Sequence, residues 1–147
     1  MAINNNILKL KDIIGISEYE NYNKFGLSNV LTIEKTKHNY FILLSNGILL
    51  SIFDIKINTL GRDISKLSDA EKTIGKVEIK EKVIDVQCGN DHVLALTING
   101  NIYAWGEFNS PQVGQNVNQE NEYHSNYQYL PRMISYFEVI YLLKKLF

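Results

Sequence analysis

One cysteine, two prolines and two arginines stand in a chain of 147 residues, and each shortage narrows what the protein can be. The lone Cys88 cannot close a disulfide within the chain, and thiolates alone cannot build a zinc site. No Asn-x-Ser/Thr glycosylation sequon occurs among 17 asparagines. The opening Met1-Ala2-Ile3-Asn4-Asn5-Asn6 lacks the basic and apolar stretches of a secretory signal. A reducing intracellular setting, cytoplasmic or nuclear, is the expectation. No apolar run reaches the ~18 residues that a membrane-spanning helix needs, so no membrane partner is expected. Excess charge of one sign is missing too. Fifteen Lys and Arg against 16 Asp and Glu leave a net charge of -1, which argues against direct nucleic-acid contact as the main role.

Catalytic signatures are equally scarce. Gly61, Gly75 and Gly89 are isolated, and no Gly-Lys-Ser/Thr follows them, so no loop is built to cradle phosphate. Neither Gly-x-Ser-x-Gly nor His-Glu-x-x-His occurs. His38, His92 and His124 have no metal-ligand spacing. Accordingly no catalytic, cofactor-binding or metal-ligating residue is assigned, no cofactor is expected, and an enzyme is not expected.

What the chain does contain is a repeat. Hydrophobic residues at 45% and charged residues at 21% describe an ordinary globular core. Shifting the sequence by 53 places sets residues 30–62 over residues 83–115 without a gap. Only 5 of those 33 positions are identical, so identity alone decides little. The pattern decides more: Leu31/Ile84, Ile33/Val86, Phe41/Leu94, Leu49/Ile102 and Leu60/Val113 all stay apolar, and Asn46-Gly47 falls on Asn99-Gly100. Each copy reads as a short strand followed by a hairpin, because apolar stretches flank an Asn-Gly pair suited to a type I′ turn. Strands and turns at a period near 50 predict propeller blades rather than a helical solenoid.

The remaining stretches are placed around these copies. Residues 1–29 form an N-terminal segment in which 7–17 reads as a strand of a preceding blade. Residues 30–82 are a degenerate first repeat and its polar linker, with Ser68-Asp69-Ala70-Glu71 as a candidate capping box in a solvated loop. Residues 83–130 are the well-matched second repeat, whose Asn- and Gln-rich segment 115–129 is the longest expected loop. Residues 131–147 open a truncated third repeat at Pro131, with an amphipathic terminal helix as the alternative. The predicted fold class is all-β: an incomplete propeller of about two antiparallel blades plus the start of a third.

The stretch from Val83 through Cys88-Gly89-Asn90-Asp91-His92, Leu94-Ala95-Leu96-Thr97, Asn99-Gly100 and Trp105-Gly106 to Gly114 resembles the repeat of the regulator of chromosome condensation family, which also includes alpha-tubulin-suppressor-like proteins. Phe108 and Pro111 depart from the family's usual Asn and Gly, and Ile52-Phe53 replaces Trp-Gly in the first copy. The resemblance implies structural roles for Cys88, Gly89, His92, Asn99, Gly100, Trp105, Gly106 and Gly114. Thus Asp91-His92 is read as part of the repeat rather than a dyad, and Cys88 as a small packed residue rather than a nucleophile.

Function is expected to lie in binding. Loops on rigid scaffolds commonly carry it, which singles out Gln115, Glu120, Glu122, Tyr123, Tyr127 and Tyr129 as a candidate partner surface. The first expectation is a non-catalytic protein-interaction module. The resemblance implies a second, guanine-nucleotide exchange on a small Ran-like GTPase, the activity of the family's founding member. A decayed, inactive repeat fragment is the third. Fewer than three repeats cannot close a ring, so self-association through open blade edges is also expected.

Overall fold

The computed structural model describes residues 2–15, 25–53, 59–68, 73–107 and 127–135. Its core is two four-stranded antiparallel sheets, each a blade with its strands in chain order. The first comprises β1 (Val30–Lys35), β2 (Tyr40–Leu44), β3 (Leu49–Ile52) and β4 (Ile74–Lys76). The second comprises β5 (Val83–Cys88), β6 (His92–Thr97), β7 (Ile102–Glu107) and β8 (Tyr127–Met133). The fold is thus an incomplete propeller, with two blades among the described residues.

The repeat holds at the level of register. Val30 pairs with Leu44 and Thr32 with Leu43; 53 residues on, Val83 pairs with Thr97 and Asp85 with Leu96. Both first strands therefore carry the same irregularity at the same place, a bulge that turns Leu31 and Ile84 outward. Each hairpin closes through three residues. Gly47 N–H donates to Leu44 O and Leu44 N–H to Ile48 O, matched by Gly100 to Thr97 and Thr97 to Asn101. Only the glycines have positive φ, 90° at Gly47 and 81° at Gly100. The turn is therefore not the expected type I′. It is a three-residue loop in which Gly takes the left-handed position of a bulge, a conformation its missing Cβ makes inexpensive.

Two cores follow from strand alternation. Between the blades lie Phe41, Leu43 and Leu49 from the first sheet and Val83, Val86, Val93, Ala95 and Trp105 from the second, with Val77 beside them. On the other face of the first sheet, Val30, Ile33, Ile42, Leu44, Leu50 and Ile52 pack beneath α1 (Ala2–Ile14), with Leu10 fully buried.

That helix overturns the strand expected over 7–17. Leu10, Ile13 and Ile14 stand at i, i+3 and i+4 and pack against the sheet, whereas Leu8 is 63% exposed. A helical stripe rather than a period of two organises the segment. Gly15, at φ 84°, ends it by returning its N–H to Lys11 O at 2.7 Å. Residues 16 and 17 lie outside the described residues.

Two further boundaries are corrected. The polar linker expected after the first hairpin contains β4, which a three-residue length and Gly75 conceal in the sequence. The break placed at Pro131 falls inside β8, where Arg132 pairs with Ala104 and Met133 with Tyr103, so these residues complete the second sheet instead of opening a third. Pro131 is tolerated because β8 is an edge strand with shifted register beside β7. The candidate capping box lies mostly, and the terminal segment 136–147 wholly, outside the described residues.

Candidate interaction site

The expected site residues fall into four groups. Trp105, Gly106, His92, Cys88 and Gly89 belong to the second blade's interior or its β5–β6 turn. Asn99 and Gly100 form the exposed hairpin tip. Gly114, Gln115, Glu120, Glu122 and Tyr123 lie outside the described residues. Tyr127 and Tyr129, expected in a loop, are on strand β8, where alternation and pairing to β7 fix their backbone.

Trp105 is fully buried, edge-on to Phe41 at a centroid separation of 5.9 Å. Its Nε1 donates to Thr59 O at 2.8 Å, so the indole satisfies its polar atom while filling the gap between blades. Thr59 is itself buried and donates to Asn39 Oδ1 at 2.7 Å, with Thr36 Oγ1 2.8 Å from its hydroxyl. Asn39 Nδ2 in turn donates to Ile52 O at 3.1 Å. Asn39 stands 53 residues before His92, so in the first blade an amide occupies the histidine position and ties neighbouring backbone segments together. Gly61, at φ 74°, lies against the indole, and a Cβ there would come 2.8 Å from Nε1.

Gly106, at φ 110°, passes so close to the turn before β6 that a Cβ would strike Asp91 O and lie 2.7 Å from His92 Cα. Gly89 keeps ordinary φ and closes the same turn by donating to His92 O at 2.8 Å. Burial holds His92 below its usual range despite Asp91, which pulls the other way. Burial pushes the Cys88 thiol well up, with the Glu34 charge adding to it, so a reactive thiolate is disfavoured. Among the described residues, no group of three or more His, Cys, Asp or Glu could hold a metal ion. No helix there is long and apolar enough to cross a membrane.

Outside the core, the second hairpin is latched by a carboxylate that sequence reasoning missed. Glu81 Oε1 accepts from Thr97 Oγ1, Asn99 Nδ2 and Asn101 Nδ2, each at 2.9 Å, and Oε2 accepts from Tyr103 OH. These bonds, led by Tyr103 and Asn99, hold Glu81 down at about 2. The donors alternate along one face as Thr-x-Asn-x-Asn-x-Tyr, a legible signal of a shared acceptor whose identity only the fold supplies. The first hairpin carries Leu44, Asn46, Ile48 and Leu50 at those positions, so its end is largely apolar. Arg62 was also missed: it is buried, with Nε donating to Ser51 Oγ at 2.9 Å and Nη2 to Ser51 O at 3.1 Å.

Comparison with known proteins agrees with this arrangement. Residues 83–115 match the regulator of chromosome condensation (RCC1) repeat. The chain is 47% identical over 49 residues to the human regulator of chromosome condensation, which is 33% of this chain and 11% of that protein. It is 31% identical over 125 residues to a Dictyostelium discoideum bifunctional serine/threonine-protein kinase/NEDD4-like E3 ubiquitin-protein ligase, 84% of this chain and 6% of that one. Among solved structures, Prp20p from Saccharomyces cerevisiae, described with its binding properties to Gsp1p and histones, superimposes with a TM-score of 0.52 at 22% identity. That match covers 72% of this chain and 25% of Prp20p, so this chain spans a small part of each of these relatives.

Proposed function

We propose that this chain, whose residues 83–115 are a regulator of chromosome condensation repeat, is a non-catalytic protein-interaction module of the cell interior, cytoplasmic or nuclear. The blades act as a rigid mount, and binding is carried by what they leave on the outside. One observation carries this reading. Leu31 and Ile84 occupy the same repeat position on the two first strands and are 53% and 52% exposed. A single exposed aliphatic is ordinary, but its recurrence at the bulge of successive blades offers a partner the same apolar contact twice.

The test is partner capture by the intact chain, compared with a Leu31→Glu/Ile84→Glu double variant. Loss of the captured partner, with the emission of Trp105 unchanged, is the expected result. Equal capture by both proteins would remove this pair from the reading.

A second reading is exchange on a small Ran-like GTPase, favoured by the 47% identity to the human regulator of chromosome condensation. Exchange predicts accelerated release of labelled nucleotide from such a GTPase when the chain is added. An interaction module predicts capture without that acceleration, and a decayed copy predicts neither.

A further inference from the structure

The segment that crosses from the first blade to the second reads Lys76-Val77-Glu78-Ile79-Lys80-Glu81-Lys82 and alternates strictly. Val77 is buried, Ile79 and Glu81 are half-buried, and Lys76, Glu78, Lys80 and Lys82 are exposed. The backbone bends at Glu78 and Glu81, and Ile79 N–H returns to Val77 O at 2.8 Å, so the chain turns Val77 and Ile79 inward and leaves the lysines in solvent. The result is a groove of about 310 Å³ beside the first hairpin tip, floored by Ile48 and Ile79 with Val77 buried beneath, and rimmed by Lys76, Lys80, Glu81 and Lys82. A second concavity of about 360 Å³ continues it across Ile48 and Lys76 toward Phe25.

The charge balance of this groove is uneven. None of the three lysines makes an ion pair with a described residue. Of the two nearby carboxylates, Glu81 is turned onto the second hairpin by its four donors, and Glu78 accepts from Asp63 N–H at 2.6 Å. Both carboxylates keep their charge while so engaged, and three exposed lysines outnumber them in a chain whose net charge is -1. Lys82 also packs its stem against Gly47, where a Cβ would come within 2.7 Å, so the turn glycine leaves room for it.

We propose that this groove binds an acidic peptide segment carrying an aliphatic side chain, the aliphatic group seated on Ile48 and Ile79 and the carboxylates facing the lysines. The assignment rests on the interaction-module reading and names the class of partner. A peptide fits better than a nucleic acid because the floor is aliphatic and offers no row of aromatic faces for bases to stack on. Lysine ammoniums on flexible stems suit carboxylates of varied geometry, whereas bidentate phosphate recognition favours arginine.

Fluorescence anisotropy on the full chain tests it, with a labelled peptide of Asp and Glu around one central Leu as the probe. Binding is expected to be saturable and to weaken as salt rises, because surface charge pairs are screened. A Lys76→Gln/Lys80→Gln/Lys82→Gln variant should bind roughly tenfold more weakly or worse, on the scale of three modest charge contacts. Replacing the central Leu by Ser should weaken binding without changing its salt dependence. Trp105 emission confirms that the variant is folded. The proposal is overturned if the triple variant binds the peptide as the parent does, or if a Gln/Asn peptide binds equally. It is also overturned if a single-stranded oligonucleotide binds the groove more tightly than the peptide. If the triple variant still captures the partner found with the intact chain, this assignment fails while the interaction-module reading stands.

Discussion

Trp105 is the largest fully buried side chain among the described residues, and both its shape and its N–H are used. Trp105→Ala is expected to cost ~3–5 kcal/mol in a denaturant titration, the range for deleting a large aromatic from a core. A loss under ~1 kcal/mol would mean that the blades do not pack through it. Two glycines separate backbone strain from crowding. At Gly100, φ is 81° and nothing lies within 4 Å of where a Cβ would stand, so Gly100→Ala should cost about 1–2 kcal/mol from conformation alone. At Gly106 the same strain is joined by collision with the Asp91 backbone, so Gly106→Ala should exceed ~3 kcal/mol. Equal losses on thermal or urea melting would show that the β5–β6 turn yields. Glu81 adds a pH signature. Its folded value of about 2 lies below its ordinary 4.5, so its contribution is present above pH 4.5 and fades as pH falls toward 2. Melting curves of Glu81→Gln and the parent should therefore differ at pH 6 and converge through that acid window. A gap that persists at pH 2 would contradict the latch.

Among elements, α1 does for the first blade what the second blade does for the first blade's opposite face. It explains why Ile52 suffices where the second copy has Trp105: Ile52 meets Leu10 and its helical neighbours rather than a facing sheet. A face covered in this way keeps its apolar side chains out of water. Leu10→Ala is expected to cost ~2–5 kcal/mol, whereas Leu8→Ala, two residues away and 63% exposed, should stay within ~0.5 kcal/mol. Similar losses at both positions would mean that the helix does not present this face to the sheet.

For the whole molecule, the cap makes the two ends unequal. In the second sheet Leu96 pairs with Ile102, and both are half-buried. Their counterparts Leu43 and Leu49 face the next blade, so alternation puts Leu96 and Ile102 on the side where a third blade would stack. Light scattering across a concentration series is expected to show association, and Ile102→Glu should suppress it. A compact, cooperatively melting monomer at all concentrations would show that this chain buries both faces itself.

How much of this was legible depends on whether the signal was local or had to await a partner. The repeat length, the hairpins around Asn46-Gly47 and Asn99-Gly100, and the placing of Trp105 were readable along the chain, because period-two alternation and turn glycines are properties of adjacent residues. Tertiary structure decided what lay beyond that reach. The stretch around Leu10 is helical because its i, i+3, i+4 face meets a sheet. β4 and β8 became strands because β3 and β7 offered open edges, and Glu81 became a latch because four donors 16 to 22 residues away converge on it. The Asn-Gly turn shows the same division within one motif: the pair marked the reversal, but the register of the flanking strands selected a three-residue loop, which asks only the glycine for positive φ.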